Sequence, residues 1–335
     1  MPPMGRIVEH IVANAWENTG KSMPRFTMVV VIGAGLMGQY IALAFARTGS
    51  FVRMIDLDQT RLDHAKKRIT TALATMADLA TLKEPAGAIL DRVSTGIGHI
   101  KYIGEAELIL EAITENAEAK RALFASMAGR YAPEAVITSN TSALNVFELM
   151  PPEMLPRAAM THFFVPPHIV PLVEVVASPL AEPDVLPALR EYLTQADTRP
   201  VFLRKFIKGF IINRLQRAYN REAFRLVEEG YADAATIDAA VKASLAIRFP
   251  VMAMMEKNDQ AGLDLMLTNI KEKLDLVNDE TPPAMLERMV AAGELGFKSG
   301  KGFYDYSGVD KEEAVRKRDE KLLRVRQLLQ ELGAI

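Results

Sequence analysis

The chain has 335 residues, 49% hydrophobic and 24% charged, and 40 Lys and Arg against 42 Asp and Glu leave a formal net charge of −2. That balance describes a globular protein long enough for two domains and gives no sign of the broad basic surface that nucleic acid or an anionic membrane would need. The absence of cysteine excludes disulfides, thiolate nucleophiles and cysteine metal sites, and it suits a reducing cytoplasm.

In chain order, the first 25 residues carry acidic groups and no uninterrupted apolar core, so they read as an N-terminal extension (1–25) and not as a signal peptide. The longest apolar runs fall short of a membrane span. From Met28 the strand-like run MVVVIG leads through a glycine-rich turn into the helical pattern QYIALAFARTG and the strand FVRMIDLD, the order of a βαβ unit. AELILEAIT and AVITSN predict two further buried strands around the helix NAEAKRALFASMAGRY, and RAAMTHFF and LVEVVAS follow. The alternation stops near Arg204, and helical patterns take over: GFIINRLQRAYNREAFRLVEEG, DAATIDAAVKASLA, a segment near Leu263 to Val277, and PPAMLERMVAAGELG. A C-terminal docking helix is expected to present Leu322, Val325, Leu328 and Leu329 on one face. The expected fold is α/β, with a parallel-sheet α/β domain over 26–204 and an all-helical domain over 205–335.

The turn after the first strand holds Gly33, Gly35 and Gly38 in GxGxxG spacing, with Leu36 and Met37 between the last two glycines. Gly33 permits the tight turn, Gly35 lets a pyrophosphate approach the backbone, and Gly38 allows helix and strand to pack closely. The helix N-terminus supplies amide donors for the phosphates. Asp56 ends the second strand about twenty residues on, where a carboxylate accepts hydrogen bonds from a ribose 2′-hydroxyl and repels a 2′-phosphate. This favours NAD over NADP as the expected cofactor, with Arg53 and Arg61 nearby leaving a dual preference open. FAD uses the same turn, and a hydride-transfer site elsewhere in the chain decides for nicotinamide.

The stretch THFFVPPHIVPLVEVV, Thr161 to Val176, sets Glu174 among Leu172, Val173, Val175 and Val176, which are apolar on both faces of a strand. A carboxylate in such a setting needs a buried partner, and His162 is the nearest candidate. A strand-end carboxylate facing water beside an ordinary core histidine is equally compatible with these residues alone.

GAGLMG, ILEAITENAEAK, SNTSAL, HFFVPPHIVPLVE, GFIINR and GFKSGKGFYDY occur in this order between Met28 and Tyr306. The chain thereby resembles the 3-hydroxyacyl-CoA dehydrogenase superfamily. PPHIVPLVE, NRLQ and RLVEEG are closer to the L-gulonate dehydrogenase or lambda-crystallin branch, carnitine dehydrogenase and a pyridoxine-degradation dehydrogenase. The resemblance implies a Rossmann-type domain, a helical domain that forms a homodimer, and NAD-dependent oxidation of a secondary alcohol as part of fatty acid metabolism. It assigns His162 as catalytic base and Glu174 as the carboxylate that orients it, with Ser142 and Asn213 holding the reacting oxygen. Glu115, Lys120, Asn140 and Lys298 join the cofactor-binding set. The chemistry suits these residue types: an imidazole accepts the hydroxyl proton while hydride leaves the same carbon, and preorganised donors stabilise the oxygen that gains charge.

Three departures bear on substrate. Val165 replaces the family's usual asparagine in HFFNP; Ala72 and Leu79 stand where acyl-CoA members carry the serine and lysine that hold the CoA nucleotide; and RFPVMAMMEKND replaces a glycine-proline segment, its Met252, Met254 and Met255 being candidates for an apolar pocket. A free small hydroxy acid or alcohol is therefore the alternative substrate to a 3-hydroxyacyl-CoA, and a non-catalytic NAD-binding protein is the competing class. The five histidines show no HExxH spacing, and no metal site is expected.

Overall fold

A computed structural model describes residues 25–98, 102–250, 253–262, 265, 267 and 284–333. The N-terminal extension, Met252 and most of the segment expected to be helical near Leu263 to Val277 lie outside the described residues. The chain divides into two compact units, Met1–Phe210 and Ile211–Ile335.

The first unit is an eight-stranded sheet covered on both faces. Its elements are β1 (Met28–Ile32), α1 (Leu36–Ala46), β2 (Phe51–Asp56), α2 (Gln59–Asp78), α3 (Ala86–Asp91), β3 (Val93–Ile97), β4 (Leu108–Glu111), α4 (Ala117–Met127), β5 (Val136–Ser139), β6 (Ala158–Phe163), β7 (Leu172–Ala177), α5 (Val185–Gln195) and β8 (Arg199–Phe202). The strands lie in the order β3-β2-β1-β4-β5-β6-β7-β8, and every neighbouring pair is parallel except β6 and β7. β1 has β2 on one side and β4 on the other, so the strand order reverses there. A crevice for a ligand opens beyond the carboxyl ends of strands at such a switch point.

Burial explains the uninterrupted apolar runs. Along β1, Val29 and Val31 join a core with Ile41, Phe45, Leu62 and Tyr192, while Val30 and Ile32 join a second core with Leu123, Phe124 and Met127. Period-two alternation sends successive side chains to opposite faces, and with helices on both faces each of them is apolar. The edge strands behave differently. β3 (VSTGI) is mostly exposed, and β8 (RPVF) carries Pro200, which an edge strand tolerates. Neither has the apolar signature by which the inner strands are legible. The first unit also runs past Arg204, because Leu203, Phe206 and Phe210 pack against its second core.

The second unit holds α6 (Ile212–Glu228), α7 (Ala234–Ala243), α8 (Leu245–Arg248), α9 (Met254–Ala261), α10 (Ala284–Ala291) and α11 (Lys311–Glu331). Glu228 accepts the Met285 amide at 2.7 Å, tying α6 to the start of α10, and the Tyr304 hydroxyl donates to Asp238 of α7 at 2.7 Å. GFKSGKGFYDY is a folded-back loop with bridges from Gly296 to Lys301 and from Lys301 to Asp305. The tail is helical, but not on the expected face: Val325 and Leu328 are exposed, and α11 buries Asp319, Leu323 and Arg326 instead. Burial here follows a line of mixed polarity that counting apolar residues misses. Met254 and Met255 are exposed on α9. Among the described residues no helix is long and apolar enough to cross a membrane.

Candidate active site

The cofactor side of the crevice is made of backbone. A Cβ on Gly38 would sit 1.8 Å from the Gly33 carbonyl oxygen, and one on Gly33 would meet the Ala112 carbonyl at 2.6 Å, so α1, β1 and the end of β4 approach closer than any side chain allows. Gly35 has open space above it. It is also the N-cap of α1, with no side-chain cap and no acid in the first turn, so the helix presents uncapped amides. Asp56 is buried and fixes this turn: Oδ2 accepts the Ala34 amide at 2.8 Å, and Oδ1 accepts those of Leu57 at 2.7 Å and Asp58 at 3.1 Å. The cleft above has a volume of ≈ 990 Å³; Gly35, Leu36, Met37, Asp56, Asn140 and Ser142 are in its wall. Open space over Gly35, free amides and a carboxylate at the end of β2 fit a dinucleotide pyrophosphate and ribose.

Charge is buried behind Glu115, which is in the wall of the cleft. Glu111, at the end of β4, and Lys120, on α4, are both fully buried, with Nζ donating to the two Glu111 carboxylate oxygens at 2.6 and 2.8 Å. Glu111 also accepts the Ile113 amide at 2.7 Å and the Ser139 hydroxyl at 2.5 Å. Every oxygen of the pair is thus hydrogen-bonded, the condition under which a buried ion pair is tolerated. Lys120, expected as a cofactor contact, has no exposed side-chain surface, and its other neighbour is Glu115 Oε2 at 3.5 Å. Glu115 does face the cleft. Its partial burial pushes its carboxyl up, but donors from Thr141, the Ala143 and Ser142 amides and the Lys120 charge outweigh this and hold it below the ordinary carboxylate range.

The far side carries the histidine. His162 on β6 and Glu174 on β7 are direct cross-strand partners in the antiparallel ladder. They are 3% and 1% exposed, and His162 Nδ1 lies 2.8 Å from Glu174 Oε2, so the carboxylate in LVEVV has the buried partner its surroundings demand. With Nδ1–H donated to Glu174, Nε2 keeps its lone pair and lies 3.2 Å from Ser142 Oγ. The Phe164 and Phe210 rings pack against the imidazole with centroids at 4.6 and 4.7 Å, Phe210 stacked at 23°. Asn140, in the loop after β5, accepts the Phe163 amide at 2.9 Å and so ties that loop to β6 beside the histidine.

The first unit therefore brings together Gly33, Gly35, Leu36, Met37, Gly38, Asp56, Glu115, Asn140, Ser142, His162 and Glu174. Asn213, the second residue of α6, and Lys298, exposed in the folded-back loop, belong to the second unit. Glu111, Ser139, Thr141, Phe164 and Phe210 were not foreseen. Glu111 was within reach, because AELILEAI sets a lone carboxylate in an apolar strand just as LVEVV does. Val165, in place of the asparagine, is exposed. Among the described residues no group of three or more His, Asp or Glu side chains is arranged to hold a metal ion.

Comparison with known proteins bears on this geometry. The NAD binding domain of 3-hydroxyacyl-CoA dehydrogenase matches residues 28–206, and the C-terminal domain of the same family matches 209–306. The mitochondrial hydroxyacyl-coenzyme A dehydrogenase of Sus scrofa is 34% identical over 289 residues, covering 83% of this chain and 90% of that protein. 5-Formyl-3-hydroxy-2-methylpyridine 4-carboxylate 5-dehydrogenase of Mesorhizobium japonicum is 29% identical over 306 residues, covering 90% and 98%. Among solved structures, the dehydrogenase for that pyridine carboxylate, described as an NAD+ dependent dismutase, superposes with a TM-score of 0.82 at 26% identity and covers 91% of this chain and 98% of its own. The (S)-3-hydroxybutyryl-CoA dehydrogenase of Ralstonia eutropha gives 0.67 at 27% identity, covering 84% and 99%. A glycine cradle for a dinucleotide, a carboxylate-held histidine and two consecutive domain matches place the chain in the 3-hydroxyacyl-CoA dehydrogenase family, as an NAD-dependent oxidoreductase acting on hydroxyl groups.

Proposed function

We propose that the chain transfers hydride reversibly between a secondary 3-hydroxy group and NAD, with His162 as acid/base. The observation that carries this reading is the run of contacts from Glu174 Oε2 through the His162 ring to Ser142 Oγ, which is in the wall of the cleft. Bound NAD supplies the hydride acceptor. In the oxidising direction His162 Nε2 takes the hydroxyl proton, and Glu174 stabilises the imidazolium that forms. Ser142 holds the oxygen that loses its proton and becomes a carbonyl, and Asp56 and Asn140 orient the cofactor. His162→Asn tests the assignment: kcat falls about 10³-fold while NADH binding holds within about twofold. Unchanged turnover rejects it.

A second reading of the substrate has its own observation. Ala72 is only 9% exposed and packs in the core under α2, and Leu79 brings no charge, so the two positions that hold the CoA nucleotide in acyl-CoA members offer it nothing. This favours a free hydroxy acid or alcohol over a 3-hydroxyacyl-CoA of fatty acid metabolism. NADH oxidation with acetoacetyl-CoA, set against acetoacetate and a panel of free 3-oxo acids and ketones, separates the two. A hundredfold advantage in kcat/KM for either class is about 3 kcal/mol of transition-state discrimination.

The assembly proposed is a homodimer through the second unit, supported by exposed Tyr219, Ile247 and Phe249; light scattering during gel filtration tests it. A cytoplasmic location, supported by the cysteine-free composition, is tested by cell fractionation.

A further inference from the structure

Glu115 makes an unusual set of contacts for a residue expected to touch a cofactor. One of its oxygens, Oε1, accepts the Thr141 hydroxyl at 2.7 Å and the backbone amides of Ser142 at 3.0 Å, Ala143 at 2.9 Å and Leu144 at 3.3 Å. These four donors belong to four consecutive residues of the turn that follows β5. A single anionic oxygen at the focus of such a turn fixes its backbone as an N-cap fixes the first turn of a helix. Ser142 stands in the middle of the turn, and its Oγ is the group 3.2 Å from His162 Nε2.

The carboxylate is itself held from behind. Its Oε2 lies 3.5 Å from Lys120 Nζ, and that ammonium is locked with no exposure against Glu111, which is anchored in turn by Ser139 at the end of β5. From this chain of contacts we propose that Glu115 is a positioning residue. Backed by the buried Lys120–Glu111 pair, it sets the Thr141–Leu144 turn so that Ser142 Oγ stands at the distance from His162 at which both address one substrate oxygen. A displacement of a few tenths of an ångström to an ångström at such a donor is costly to turnover, because preorganised donors act through their placement. This inference rests on the reading of His162 and Ser142 given above.

The test is a double-mutant cycle between Glu115→Ala and Ser142→Ala, with NADH oxidation and NADH fluorescence titration on each variant. Expected are a fall in kcat of about 30-fold for E115A, an NADH Kd within about twofold of the parent, and a double variant no slower than S142A, because Glu115 acts only through the serine. Glu115→Gln keeps an acceptor oxygen at the same place and recovers kcat to within about fivefold of the parent. Unchanged kcat in E115A, a tenfold rise in NADH Kd with kcat intact, additive losses in the double variant, or E115Q as impaired as E115A each overturn the inference. Parental turnover in S142A removes the reading of Ser142 and this inference with it, whereas loss in S142A with parental turnover in E115A removes this inference alone. If E115A does not fold, Thr141→Val withdraws one donor from the same oxygen. Its kcat then falls about threefold at unchanged NADH Kd, and a parental kcat is the overturning result.

Discussion

The two ends of the crevice are built from different materials. At the β1 and β2 end the working surface is main chain: glycines that admit no Cβ, uncapped helix amides, and a carboxylate whose oxygens are occupied by backbone N–H groups. Toward β4 to β7 it is side chain: Glu115 and Ser142 stand in the cleft wall, backed by the buried Glu111, Lys120, His162 and Glu174, a run of charged and polar groups across four neighbouring strands and their loops. The difference teaches how each end fails. A surface made of backbone is destroyed by adding atoms; one made of side chains is destroyed by taking them away.

Four substitutions break or sharpen this contrast. The largest effect is expected from Gly38→Ala, because no neighbouring side chain stands between the new methyl and the Gly33 carbonyl; soluble protein that binds NADH is expected to be lost, as read by thermal melting and fluorescence titration. Next is Lys120→Met, which strands Glu111 as a buried charge and costs about 3 to 5 kcal/mol of stability in urea titration, while pairing it with Glu111→Leu restores most of the loss. Glu174→Gln leaves the imidazolium without its buried counter-charge, and kcat drops about 100-fold with little change in substrate KM. The smallest effect is that of Asp56→Ala: about tenfold, or 1.4 kcal/mol, in NADH Kd, together with a narrowing of the preference over NADPH. If Gly38→Ala were mild while Lys120→Met abolished cofactor binding, the division into backbone and side-chain ends would be wrong.

Much of this arrangement was legible in the sequence for one reason: burial leaves a pattern. The inner strands show it as apolar runs, and Glu174 stands out against such a run, so its need for His162 follows from desolvation alone. β3 and β8 left no pattern because edge strands are half solvated, and VSTGI and RPVF look like loops. Lys120 illustrates the opposite difficulty. The resemblance pointed to a cofactor contact at that position, and only the three-dimensional placement of Glu111 nine residues earlier shows the ammonium spent inside the protein. The role of Glu115 was hidden for a further reason: its partners are mostly main-chain amides, which every sequence has. The face buried by α11 was misjudged because Asp319 and Arg326 lie along it, and hydropathy counts both against burial.

The position of His162 in the ladder has one more consequence. β6 is flanked by β5 and β7, and all six of its residues are buried, so its amides open to deuterium only when the sheet itself comes apart. Peptides spanning Ala158–Phe163 and Leu172–Ala177 should be among the last to gain mass in exchange, well after those of β3. On heating or in denaturant, the imidazole and its carboxylate then keep their geometry until the cooperative transition, and the pair persists for as long as the sheet does.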